Sequence, residues 1–353
     1  MFIYVFFFLV ILCGAIFIYG APQRAIFLSV ISFVLIMLCG LRGDVDGDYW
    51  SYILSYQGAI SDQENLNVEF SYNAISKIVD AVVGNFSGVL FFYAFVSISL
   101  LTYIIIKFYH ANIYVFLVYY SFYFFLHPMT QIRGSIAASA LLLSLQFIYK
   151  KQFWLFLLVV IAGAFFHAST LLILPFYFIV NRFQLKNSHA ICIAIIAFVI
   201  GKVFHPFNLL MGLPLGEGLY VLNKLEMHKN TLEGGVGNRT ADVYIIMALL
   251  KLGFNIFLRY KADLLQERFK YFRTFLTVHF WGYVIYLLLS DMHIVSARIS
   301  ELLGITEIFL IPMLIEVFTP KWAGKSMVIT MAVFQLVISL FIVKLVRPYE
   351  LGI

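Results

Sequence analysis

The chain has 353 residues, 63% of them hydrophobic and 12% charged, with a net charge of +6 and a mean hydropathy of +0.95. A soluble domain carries about 25% charged residues, so this composition excludes a soluble enzyme or a nucleic-acid-binding domain and predicts an all-α polytopic membrane protein. Cys13, Cys39 and Cys192 all lie inside apolar runs, which excludes a disulfide framework and a thiolate zinc site.

A bilayer crossing takes roughly 20 apolar residues, and the chain predicts about 12 transmembrane helices in a single domain spanning 1–353. They fall near 2–20, 25–41, 86–106, 111–127, 133–149, 153–167, 168–181, 190–204, 241–258, 274–290, 299–318 and 326–345. The first span lacks a basic n-region and a small-residue cleavage site, and reads as retained rather than as a signal peptide. The pair 153–181 turns at Phe166-His167-Ala168-Ser169, and Pro175 is expected to kink its second member. An even number of spans puts both termini on one face. The connections then separate by charge. Arg24, Lys107, Lys150, Lys151, Arg268 and Lys321 belong to a basic set that the positive-inside rule makes cytoplasmic. The other set holds most of the acids and two long outer loops, 42–85 and 205–240. Within them, 69–83 and 215–229 read as amphipathic helices lying along or dipping into the membrane surface.

Five segments bring polar residues to that outer face. They are the loop Arg42-Gly43-Asp44-Val45-Asp46-Gly47-Asp48-Tyr49-Trp50, then Glu69 to Tyr72, His127 to Arg133, His167-Ala168-Ser169, and Ser296 to Glu301. A charge cluster as dense as the first, at the end of an apolar span, is costly unless it meets water or a polar ligand. Arginine's planar fork suits phosphate oxygens and stays charged at any working pH. Arg42, Arg133 and Arg298 each end a span at headgroup level and as a set suit a diphosphate; singly, each also fits snorkelling or a helix-ending pair with a carboxylate. His167, between two apolar runs, is placed to act as a general base near neutral pH or to close a helix end. Glu69 begins a helical run with Tyr72 one turn on, and either caps that helix against its macrodipole or orients a sugar hydroxyl. Asp44, Asp46 and Asp48 alternate, a pattern that fits a hard cation such as magnesium or a glycine-rich turn of solvated acids. Tyr49, Trp50, Tyr52 and Tyr56 fit interfacial packing or stacking on sugar rings. Arg239 reads as a loop contact, and His127, just before Pro128, as capping or lining the fold.

Several of these runs carry a resemblance. R-G-D-V-D-G-D-Y-W-S-Y at 42–52, V-E-F-S-Y at 68–72, Q-I-R at 131–133, F-H-A-S at 166–169 and A-R-I-S at 297–300 resemble, in order and spacing, the EpsG/Wzy family of bacterial polysaccharide polymerases. Where members often carry Gly-Thr-Asp-Tyr, this chain has Gly47-Asp48-Tyr49, with Asp46 in addition. The resemblance implies a GT-C-like helical scaffold that uses no metal or other cofactor. It implies a place in the bacterial inner (cytoplasmic) membrane, with the active site facing the periplasm or cell exterior. The implied substrate is an oligosaccharide repeat unit on undecaprenyl diphosphate. The implied reaction moves a growing glycan from that lipid diphosphate onto a new lipid-linked unit at the outer leaflet, building O-antigen lipopolysaccharide or exopolysaccharide, with a chain-length regulator as partner by analogy.

In that reaction Arg42, Arg133 and Arg298 stabilise the leaving diphosphate, and His167 or Glu69 deprotonates the acceptor hydroxyl. Asp44 and Asp48 position the acceptor or pair with the arginines, while Tyr49, Tyr72, Gln131, Ser169 and Arg239 contact substrate. Two other activities remain open. One is a GT-C transferase that adds a single sugar from a polyprenyl phosphate, with a metal on Asp44, Asp46 and Asp48. The other is a flippase for lipid-linked oligosaccharides, against which stands the scarcity of mid-span charges, chiefly Lys251 with Glu307 and Glu316.

Overall fold

The computed structural model describes residues 1–61, 69–182, 186–204, 239–290 and 293–352. Among these the structure is helical, broken only by turns and two isolated antiparallel bridges. In chain order come α1 (Phe2–Phe17), α2 (Ala21–Gly40), the shorter α3 (Tyr49–Ile60) and α4 (Phe70–Val83), and α5 (Ser87–Phe108). Next, α6 (Ile113–Tyr119) runs on as a π-helical segment, Tyr120–Phe124; α7 (Ile132–Tyr149) and α8 (Phe153–Phe166) follow, then 3-10 turns over Ala168–Ile173. The chain continues through α9 (Phe176–Arg182), α10 (Asn187–Val203), α11 (Arg239–Tyr260), α12 (Ala262–Arg268), α13 (Phe272–Leu288) and α14 (His293–Gly304). It ends with α15 (Glu307–Val317) and α16 (Lys321–Val337), the latter extended by π-helical Ile338–Ile342.

Contacts divide the chain into two compact units, Met1–Leu174 with Ile308–Ile353, and Pro175–Glu307. Among the described residues, four helices are long and apolar enough to cross a membrane: 21–40, 87–108, 132–149 and 321–342. Shorter apolar helices, including α1, α8 and α10, accompany them. The chain is a membrane protein. The span expected at 168–181 is not one helix. The 3-10 turns end at Ile173 and α9 starts after Pro175, because a proline there cannot donate to the preceding turn. Likewise 299–318 is divided between α14 and α15.

In the first unit α7 is the most enclosed of the four long helices. Among its buried aliphatic residues stand the small or weakly polar Ser135, Ala137, Ala138, Ser139, Ala140 and Ser144, where neighbouring backbones come close. A Cβ on Gly163 of α8 would lie 2.8 Å from the Ala140 methyl carbon. Ser139 Oγ donates to the Ser97 carbonyl of α5 at 3.0 Å, and Ser32 and Thr102 share a 2.7 Å hydroxyl pair between α2 and α5. Such bonds join helices where apolar burial alone gives no preference for protein over lipid. In the second unit, α13 is the centre. A Cβ on Gly201 of α10 would meet the Leu287 carbonyl at 2.3 Å, and one on Gly282 would meet Leu303 of α14 at 2.8 Å.

The connection 42–85 contains two helices, where the sequence predicts one. Tyr49, Tyr52 and Tyr56 recur at i, i+3 and i+7 on α3, and the latter two are buried. Gly84 closes α4 at φ 73°, a left-handed conformation that glycine adopts without penalty. α4 is amphipathic in an inverted sense. Phe70, Ile78 and Val82 are 71%, 65% and 80% exposed, whereas Ser71, Tyr72, Asn73 and Ser76 are buried. Its apolar face therefore points out of the protein, as suits a helix in the headgroup region. The Tyr56 hydroxyl bonds Asp80, joining α3 to α4. The stretch 215–229 and most of the loop 205–240 lie outside the described residues.

Candidate active site

The loop after α2 is held by the end of the chain. Arg42 bridges to Leu351 and Asp46 to Val346 in antiparallel register. Gly43 N–H donates to the Glu350 carbonyl at 2.8 Å, Arg347 N–H to Val45 at 2.7 Å, and Gly352 N–H to Leu41 at 2.9 Å. Gly352 lies so near the loop that a Cβ there would sit 2.5 Å from the Arg42 carbonyl oxygen. The Tyr349 hydroxyl donates to the Leu38 carbonyl at 3.1 Å.

Within this clamp Arg42 is fully buried. Its Nε donates to Asp46 Oδ2 at 3.2 Å and its Nη1 to the Cys39 carbonyl at 2.9 Å; Nη2 has no hydrogen-bond partner among the described residues. Asp46 Oδ1 accepts the Asp48 N–H at 2.9 Å, which shapes the turn into α3. Asp44 faces outward and accepts from Trp50 Nε1 and Arg347 Nη1, each at 2.9 Å. Asp48 is half-buried at the start of α3. The three aspartates thus have different surroundings, and among the described residues no three His, Cys, Asp or Glu side chains gather as a metal-ligand set.

A second cluster forms at the N-terminal end of α7. Glu69 stands at the N-cap position of α4, but its side chain makes no capping bond. Instead Oε1 meets His167 Nδ1 at 2.8 Å, and Oε2 accepts from Arg133 Nη1. Arg133 sits in the first turn of α7, with its guanidinium 5.7 Å above the Tyr52 ring and 6.0 Å from the Tyr72 ring. Tyr72 Oη donates to the Tyr52 carbonyl at 2.8 Å, so the two rings are fixed together. Arg133 Nε has no hydrogen-bond partner among the described residues. His167 ends α8 in extended backbone, φ −157°, while Thr170 folds back to its carbonyl at 3.0 Å. It is both a helix-end histidine and a Glu69 partner.

Burial alone would raise the Glu69 pKa, but the His167 hydrogen bond and the Arg133 charge outweigh it and hold the carboxyl down to about 2. A carboxylate that accepts Nδ1–H leaves Nε2 with its lone pair, the form of imidazole that takes a proton. The cluster therefore offers an imidazole oriented by a carboxylate and a part-buried guanidinium whose Nε is unbonded among the described residues. Tyr52 joins it to the loop, since its hydroxyl is within electrostatic range of Arg133 on one side and of Asp48 and Asp46 on the other.

Of the remaining expected site residues, Gln131 immediately precedes α7, Ser169 lies half-buried in the 3-10 turn beside His167, and Tyr49 packs edge-on against Trp50 and Phe86. Arg298 is exposed on α14 of the second unit, in the electrostatic neighbourhood of Glu301. Arg239 opens α11, and its side chain lies outside the described residues. The second unit also holds a polar chain the sequence did not reveal: Asn255 Nδ2 to His279 Nδ1 and His279 Nε2 to Glu307 Oε1, both 2.7 Å, near Lys251, which bonds Ser300 at 2.9 Å. Two features of the first site were missed as well. Tyr52 beneath Arg133 was signalled only by the i, i+3, i+7 tyrosines. The tail 346–352 carried only the weak signal of a short polar stretch after the last span.

Fold and site together define a helical membrane protein with a part-buried arginine–glutamate–histidine cluster. A family model described as EpsG family matches residues 25–351, nearly the whole length, and the chain belongs to that family. Neither a curated protein nor a solved structure matches it.

Proposed function

We propose that this protein is a polysaccharide polymerase that transfers a growing glycan from undecaprenyl diphosphate onto a new lipid-linked repeat unit. Family membership supports a polysaccharide-polymerase type of function. The observation that carries the specific reading is Glu69 held between His167 and Arg133. In the proposed reaction the acceptor hydroxyl oxygen bonds to the anomeric carbon of the donor glycan. The bond from that carbon to the diphosphate oxygen breaks, and the electron pair leaves with the lipid diphosphate. The acceptor proton passes to His167 Nε2, with Glu69 orienting the ring and stabilising the imidazolium. Arg133 faces the leaving diphosphate, where charge develops in the transition state. The sugar–diphosphate bond supplies the driving force, so no nucleotide is required.

Arg42 is assigned a supporting role in this reading, fixing the loop that carries Asp48 and Tyr49 beside Tyr52. Gln131 and Ser169 flank the cluster as substrate contacts, Tyr72 supports it through Tyr52 from within the protein, and Arg298 and Arg239 of the second unit are candidates for phosphate binding in their own right. The scaffold is read as GT-C-like with about 12 spans, in the bacterial inner membrane, its site facing the periplasm or exterior, with a chain-length regulator as partner. A flippase is the second reading, favoured by the Asn255–His279–Glu307 chain, because buried ionisable groups line transport paths. The discriminating experiment is the lipid-linked glycan that accumulates when the protein is absent. The polymerase reading predicts a single complete repeat unit at the outer leaflet. A truncated unit would instead indicate a single-sugar transferase, and a complete unit trapped on the inner leaflet a flippase.

A further inference from the structure

We propose that His127 and Gln131, which border the space beside Gly134, form a binding subsite for a hydroxyl of the acceptor sugar. The inference rests on the polymerase reading for the identity of the ligand, and on the following geometry for the site.

After α6 the helix widens into the π-helical segment 120–124, and the wide pattern persists. Met129 N–H reaches the Phe124 carbonyl at 3.2 Å, and Gln131 N–H reaches Leu126 at 2.9 Å, each spanning five residues. Widened turns of this kind recur where a helix must redirect a side chain. Here the turn places His127 inside, 3% exposed, with its ring parallel to Tyr123 at 7° and 5.6 Å. Neither ring nitrogen has a hydrogen-bond partner among the described residues. A buried polar group left unpaired costs about 1–3 kcal/mol, and a phenylalanine would stack on Tyr123 without that cost. The nitrogens are therefore what the position requires.

Gly134 shows where they point. A Cβ built there has Gln131 Cβ at 3.5 Å, Gln131 Oε1 at 3.6 Å and His127 Nδ1 at 3.9 Å as its three nearest neighbours. The space beside the glycine is thus bordered by an amide and an imidazole, and has room for a small group. Neutral imidazole and amide each offer both a donor and an acceptor, which complements a hydroxyl; a phosphate oxygen only accepts and is better met by Arg133 next in the chain. His167 lies within electrostatic range of His127, so the subsite and the proposed base share one neighbourhood.

The glycine supplies the test. Gly134→Ala meets nothing closer than ordinary van der Waals distance, and in the first turn of α7 alanine favours the helix. His127→Phe keeps an aromatic ring, a somewhat larger one, against Tyr123 and removes both nitrogens. The probe is the lipid-linked glycan purified from cells lacking this protein, bound to the full-length protein in nanodiscs. Both variants are expected to melt at or above the wild-type temperature and to bind the probe at least tenfold more weakly. A Kd within twofold of wild type for either variant overturns the subsite, and so does a lowered melting temperature for Gly134→Ala, which would mean that protein already fills the space. Failure of the polymerase reading would show differently: wild-type protein would bind the probe without ever lengthening it.

Discussion

Arg42 and Asp46 face each other out of reach of water, and their burial determines what each can do. A buried pair gains little over an apolar pair, but breaking it strands a charge at a cost of about 3–5 kcal/mol. Asp46→Ala is therefore predicted to destabilise by that amount, read as a lowered melting temperature and less protein in the membrane. Asp44→Ala, whose partner Arg347 is exposed, should cost at most about 1 kcal/mol. Similar destabilisation by the two would refute the distinction. Glu69 makes a second prediction. Its carboxyl is held at about 2 against an ordinary 4.5, so its stabilising contribution is complete above 4.5 and is lost as the pH falls toward 2. The melting-temperature difference between wild type and Glu69→Gln should shrink across that window and stay constant above it. The residue types at these positions were legible in the sequence, because arginine, histidine and carboxylate at span ends are costly without a role. Their partners were not: nothing in the order of residues distinguishes Arg42, paired within its own loop, from Arg133, paired with Glu69 across 64 positions.

At the level of elements, the long apolar runs α2, α5 and α7 were recognisable because hydrocarbon thickness imposes their length. α3 and the tail were not, since both depend on packing. The i, i+3, i+7 tyrosines of α3 read equally as sugar-stacking residues until Tyr52 is seen beneath Arg133. The amphipathicity of α4 was visible, but which face turns inward follows from Tyr56–Asp80 and from the polar ring around Tyr72. The tail is the element with the clearest consequence. Three main-chain hydrogen bonds tie 347–352 to 41–45, each contributing about 0.5–1.5 kcal/mol. Truncation after Leu345 is predicted to uncover Arg42 and Asp46 and abolish polymer formation, whereas Arg347→Ala, which keeps the main-chain bonds, should leave polymer length nearly unchanged. Normal polymer from the truncated chain would show that the clamp is dispensable.

For the molecule as a whole, the tail's pairing with the 41–46 loop puts the C-terminus on the same side as Asp44 and Asp48. The positive-inside rule predicts that Lys107, Lys150 and Lys151 lie on the opposite, cytoplasmic side. In a cysteine-free background, Leu351→Cys is predicted to react with an impermeant maleimide in spheroplasts, and Lys150→Cys only after permeabilisation; the reverse pattern would invert the topology. Pro175 marks a disturbance of the 168–181 span in the sequence, and the structure makes it a full break, because a proline's effect depends on the bonds its neighbours can still make; the division into two units has no such local mark. Whether Glu69, His167 and Arg133 form the transferring site is read from the length of glycan made by cells carrying point variants at normal expression. Arg133→Ala and His167→Ala should leave single repeat units on the lipid carrier, the loss of a general base alone costing about 10²–10⁴ in rate; long polymer from both variants would contradict the account.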